Sequence, residues 1–171
     1  VRSTTAAFIA TLSILSNASW AGAVSRVGNR SILDDRAAAS ASVPLGYYAS
    51  GSEAVGWVRL AAPGLRTQTI DVLDFRASYP ERSSLLRARL AAELEADGWQ
   101  EFSLGGATGC VYAARKQGEH STSTVVTWGE GRGMVFVASL SAGNARALSE
   151  MLASLTVPTE ECAWPEDPSN G

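Results

Sequence analysis

SYPERSSLLRARLAAELEADGW, residues Ser78 to Trp99, reads as one helix with both ends marked. Ser78 and Glu81 have the N-cap and N3 spacing at which hydroxyl and carboxylate satisfy each other's backbone donors. Pro80 fits the first turn, where amides have no intrahelical partner. Gly98 supplies a left-handed closing residue, and Trp99 follows where an apolar side chain folds back onto the last turn. Leu86, Leu90 and Leu94 repeat at i+4 with Leu85, Ala92 and Ala96 beside them, so the helix has one stripe to bury. Its arginines come early (Arg82, Arg87, Arg89) and its acids late (Glu93, Glu95, Asp97), against the helix dipole. That order is either tolerated at a few tenths of a kcal/mol per charge, or the arginines meet acids from a partner or from elsewhere in the fold.

The flanking sequence supplies strands to receive the stripe. Glu53 to Leu60 is the first, with Gly56 weakening it. Ala62-Pro63-Gly64 turns the chain into a second strand over Thr67 to Ala77. There Ile70 and Val72 share one face while Leu73 and Phe75 share the other, which signals a bulge near Val72 or burial on both sides. After the helix, Trp99 to Leu104, Cys110 to Lys116, Ser121 to Trp128 and Met134 to Leu140 alternate with short glycine-bearing turns, a four-strand antiparallel meander. Asn144 to Leu155 returns to helical spacing, with Leu148, Met151, Leu152 and Leu155 on one face, and Pro158 stops it. The order β-β-α-β-β-β-β-α predicts an α+β domain: about six antiparallel strands covered on one face by a main amphipathic helix and a C-terminal helix.

Outside that domain, expected over residues 46–158, the ends have other characters. Residues 1–23 carry Arg2, an apolar run from Ala6 to Leu15 and the small-x-small step Ala21-Gly22-Ala23, which together read as a signal peptide. An uncleaved anchor, the one route to membrane contact, or an ordinary N-terminal helix are the alternatives. Residues 24–45 read as a flexible leader and 159–171 as an irregular acidic tail. Export would favour a disulfide between Cys110 and Cys162, closing a loop of about 50 residues worth roughly 4 kcal/mol. Two buried thiols are the alternative.

Composition narrows function more than any motif does. The chain has 171 residues, 46% apolar and 18% charged, enough for one domain with a core. A net charge of −3 and a pI near 5.2 argue against nucleic acid as partner. Lys116 is the only lysine beside thirteen arginines. The glycine runs 105–109 and 129–133 lead into strands rather than helices, so they read as hairpin turns and not phosphate loops. No cofactor or metal is expected, because there is no CxxC and His120 is the only histidine. Any imidazole-based catalysis would have to use His120, which stands in a polar turn beside Glu119.

Asp71 and Asp74, three apart on a strand, project to opposite faces unless a bulge brings them together as a glycosidase-type pair. Trp57, Trp128 and Tyr112 are the candidate ligand-binding aromatics, with core packing as the simpler use. The leading expectation is an exported, non-catalytic module that binds a protein, an envelope component or a small ligand. A small hydrolase using Asp71 or Asp74 with His120 or Glu119, and an accessory or inhibitor protein for a specific partner, are the alternatives.

Overall fold

The computed structural model describes residues 26–28, 31–34, 39–52, 57–65, 68–105, 111–129 and 131–157; of 26–28, 31–34, 50–52 and 57 it describes only the backbone. The chain forms a small α+β domain. Strands β4 (Tyr48–Ser52), β5 (Trp57–Ala61), β6 (Thr69–Asp74), β7 (Gln100–Glu101), β8 (Val111–Gln117), β9 (Ser121–Trp128) and β10 (Gly133–Ser139) make one antiparallel sheet. Their order is β4-β5-β6-β10-β9-β8-β7, so two meanders meet where β6 pairs with β10. A second sheet of three strands, β1 (Arg26–Gly28), β2 (Ser31–Asp34) and β3 (Ala39–Ser42), precedes it.

Among the described residues three α-helices complete the fold: α1 (Phe75–Ser78), α2 (Arg87–Ala96) and α3 (Ala142–Ala153). They do not share one face, which corrects the expected single covered face. Ile70, Val72, Val126, Trp128, Met134 and Phe136 bury their side chains with Ala147, Leu148, Met151 and Leu152 of α3. On the opposite face Ala114, Val125 and Val135 pack with Phe75, Leu90, Leu94 and Trp99, the contribution of α1, α2 and the residue after it. The opposed pairs Ile70/Val72 and Leu73/Phe75 thus reflect burial on both sides. No bulge forms, since β6 runs in unbroken register from Asp74 opposite Met134 to Ile70 opposite Ala138.

Residues 78–99 also depart from one capped helix. Asp74, the last residue of β6, is the N-cap: its Oδ1 accepts the Ala77 amide at 2.7 Å. Ser78 ends that first turn by donating its hydroxyl to the Asp74 carbonyl, so no capping box with Glu81 forms. Pro80 forces Tyr79 out of helical geometry (φ −136°, ψ 64°), and a 3-10 turn over Pro80–Arg82 separates α1 from α2. The far end closes as expected. Gly98 has φ 82°, its amide donates to Glu95 O, and the Trp99 amide donates to Leu94 O at 3.0 Å. A Cβ at Gly98 would meet nothing within 4 Å, so Gly98→Ala should cost only the left-handed backbone penalty. That is about 1 kcal/mol, read as a lower urea midpoint with unchanged slope.

Residues 39–43, within the segment read as a leader, pack against the domain. Ala39 and Ala41 of β3 are buried at 0% and 1% exposure against α3 and the large sheet. Ser40 exchanges backbone hydrogen bonds with Thr156, and the Ser42 amide donates to Ser154 Oγ at 2.9 Å. Alanine carries little hydrophobic signal in a sequence, so the burial of this strand is not apparent from its residue types. The expected disulfide is corrected as well: among the described residues there is no disulfide-forming cysteine pair, and Cys110 and Cys162 both lie outside them. What closes the described fold is the packing of the two apolar layers. Three polar groups inside them are unspent: the hydroxyls of Thr124 and Thr127 and the Trp128 indole N–H. Thr127 is 1% exposed and its hydroxyl has no partner, so Thr127→Val should stabilise by about 1 kcal/mol in the same denaturant assay.

Candidate functional site

Alternation along β8 sends Arg115 to the face covered by α3 and Lys116 to the face covered by α2. On the α2 side Lys116 stands opposite Ser123 of β9. There a cleft of about 540 Å3 opens between the sheet, the 78–82 segment and the end of α2. Its aromatic wall is Tyr79 and Trp99, whose rings meet edge to face at 6.4 Å and 84°. The Pro80 step that breaks the helix is what leaves Tyr79 there, with its amide held by Phe75 O at 2.8 Å. Burial, reinforced by Asp97 and opposed by Arg82, pushes the Tyr79 phenol above its ordinary pKa.

The ionic part of the cleft converges on Asp97. Arg82 pairs with its carboxylate, lies 3.9 Å from Glu93 and sits 5.8 Å from the Tyr79 ring centroid. Lys116 Nζ donates to the Asp97 carbonyl at 2.6 Å. Arg82, read from the sequence as an early helical charge opposing the dipole, in fact stands before α2 and meets acids from that helix's far end. Arg89 is compensated locally by Glu93 at 3.4 Å, one turn on. The cleft therefore offers a clamped pair of cations, the carboxylates of Asp97 and Glu81 and an aromatic edge, a set suited to holding a polar ligand.

The residues singled out in the sequence lie elsewhere. Asp71 forms a two-point pair with Arg59 at 2.7 and 2.9 Å on the neighbouring strand, on the α2 face. Asp74 takes the opposite parity and caps α1, so the two carboxylates are not brought together. His120 is 87% exposed in the β8–β9 turn, 3.9 Å from Glu119. Trp128 and Tyr112 are 0% and 2% exposed in the two core layers, and the Trp128 indole N–H has no partner. The Trp57 side chain lies outside the described residues. Sequence reading missed Tyr79 and Lys116. The available signals were the proline after Tyr79 and the Arg-Lys step on an alternating strand.

Among the described residues there is no cluster of three or more His, Cys, Asp or Glu able to hold a metal ion, and no helix long and apolar enough to cross a membrane. Three phenols are held protonated beyond their usual range: Tyr47, Tyr79 and Tyr112, each chiefly by burial. The unfolded chain loses these protons near pH 10 while the folded chain keeps them. Their contribution is thus complete below about pH 10 and lost as pH rises through the folded values. Urea midpoints should fall above pH 10, and less steeply in Tyr112→Phe.

No protein-family model matches the chain, and no curated protein matches it. A solved crystal structure from Bacteroides thetaiotaomicron VPI-5482 is similar at 16% sequence identity and a TM-score of 0.39. The match covers 71% of this chain and 46% of that one, so the chain spans less than half the length of that structure.

Proposed function

We propose that this α+β domain is an exported, non-catalytic binding module whose ligand, a soluble component of the cell envelope, enters the cleft between the 78–82 segment and the end of α2. The observation that carries the reading is the pairing inside the cleft: Arg82 and Lys116 are both anchored on Asp97 beside an aromatic edge. Groups so paired position a ligand's polar atoms; a general acid or base has to be free to exchange its proton with a substrate. The apolar run of residues 6–15 supports export.

Lys116 makes the test direct, because no other side chain carries an amine. Acetylation by an amine-specific reagent is followed by peptide mass spectrometry, with and without soluble glycopeptides digested from the host envelope. The expected result is saturable protection of Lys116, lost in Arg82→Ala. Unchanged labelling overturns the assigned ligand and cleft, and a turnover activity abolished by one polar substitution overturns the non-catalytic reading. For export, intact mass on protein from the native host should show a species beginning at Val24; retention of residues 1–23 in all of it counts against a cleaved signal.

A further inference from the structure

A second cleft, of about 370 Å3, lies on the other face of the sheet, between strands β8, β9 and β10 and the first turns of α3. Its lining has one sign of charge. Among the described residues that line it, Arg115 is the one ionised side chain and none is an aspartate or glutamate, although the chain as a whole is acidic. The Arg115 guanidinium lies 4.8 Å from the Phe102 ring centroid and is paired with no carboxylate among the described residues. Gln117 and Thr122, opposite each other on β8 and β9, add an amide and a hydroxyl.

One feature extends this donor set, and a second lies beneath it. Ser141 and Ala142 open α3 against the cleft, so the positive end of a 12-residue helix faces the same space as Arg115. Thr124 is the cross-strand neighbour of Arg115 and projects from the same sheet face, one pair deeper than Thr122. It is fully buried and its hydroxyl has no partner. Ser139 and the apolar side chains of Ala138, Ala145, Leu148 and the half-exposed Leu140 complete the wall.

We propose that this cleft binds a small organic acid carrying one carboxylate on an aliphatic body. The carboxylate pairs with Arg115 and takes hydrogen bonds from Thr122 and Gln117, while the aliphatic part lies along Leu148 and Leu140. A single unpaired cation matches a single negative charge, and the volume suits a short chain rather than a polymer. This site is independent of the cleft on the α2 face, since consecutive residues of one strand serve the two.

Octanoate is the probe, followed by the amide resonances of Thr122, Ala142 and Ala145 in the full chain, with acetate and octanol as comparisons. Octanoate should shift these resonances saturably, and acetate (charge without tail) and octanol (tail without charge) should each bind at least about tenfold more weakly. Arg115→Gln should weaken octanoate about tenfold or more, Thr122→Val less, and Lys116→Gln on the opposite face not at all. Absence of saturable shifts overturns the proposal. Equal binding of octanol removes the role of charge, and equal binding of acetate removes that of the apolar wall; either refutes the assigned class. A loss in Lys116→Gln equal to that in Arg115→Gln would place binding on the other face.

Discussion

Gly133→Ala is expected to lower stability by about 3 kcal/mol, the upper part of the range for overpacking a well-packed interior. A methyl group at this position would stand 2.5 Å from Val126 O, 2.9 Å from Thr127 Cγ2 and 3.0 Å from Thr127 Cα. Two of those three atoms are backbone, so no rotamer change relieves the clash. Gly133 pairs with Thr127 and Met134 with Val126 in the β9–β10 ladder. Moving β10 away from β9 would therefore open the strand pair at the middle of the sheet, whose residues feed both apolar layers. The check is a urea titration of the variant beside Gly133→Ala/Thr127→Ala. If the threonine methyl were the obstacle, the double variant would recover the loss. Contact with Val126 O predicts that most of it persists. Full recovery would show that the strands are not held as closely as this geometry requires.

How far the sequence disclosed this fold depends on which residues carry the signal. Ser121–Trp128 is legible residue for residue as β9, because Val125, Val126 and Trp128 sit between two turn signals. The closure of α2 at Gly98 and Trp99 is legible because only one residue type adopts that backbone at no cost. The start of the same helix is not. Ser78 and Glu81 have capping spacing, but Asp74 stands where the chain leaves the sheet and takes the cap first, and the restriction Pro80 places on Tyr79 then breaks the helix.

Strands β3 and β4 are weakly written for a different reason. Ala39–Ser42 and Tyr48–Ser52 are mostly Ala, Ser and Gly, residue types that leave little contrast with turn sequence. Two-sided burial is written plainly in the central strands. Val125-Val126 and Met134 to Ala138 are apolar without interruption, the pattern of strands covered on both faces. The cleft residues were hardest to find, because Tyr79, Asp97 and Lys116 are ordinary types scattered over three elements and only tertiary structure brings them together.

Asn144→Leu is expected to cost about 3 kcal/mol or more, despite its similar size and better helix propensity. Asn144 is fully buried at the third position of α3, where its amide donates to the Ser141 cap at 3.0 Å. Its side chain reaches the sheet rather than back to the cap. Nδ2 donates to Ser139 O at 2.7 Å, Ser139 Oγ at 2.6 Å and Thr69 O at 3.1 Å, while Oδ1 accepts from the Tyr47 hydroxyl at 2.7 Å. One amide thus ties α3 to the ends of β6 and β10 and to the residue before β4. Leucine would remove the donor to the Ser139 and Thr69 carbonyls and the acceptor of the Tyr47 hydroxyl at a fully buried position, a penalty larger than any gain in burial.

Tyr47→Phe removes one member of that network and should cost about 1–2 kcal/mol. Combined with Asn144→Leu it should add less than its own single effect, because the shared hydrogen bond is lost only once. Asn144→Asp gives the sharpest discrimination. An ionised oxygen would face the carbonyls of Thr69 and Ser139, whereas a protonated acid restores one donor. Burial would raise the new carboxyl's pKa in the folded chain, so stability is greatest below the unfolded value near 4 and is lost as pH rises through the folded one. Urea midpoints of Asn144→Asp should therefore fall further below the parent at pH 7 than at pH 4. Equal deficits at the two pH values would mean that position 144 is read by shape alone and that the donor role assigned to Nδ2 is wrong.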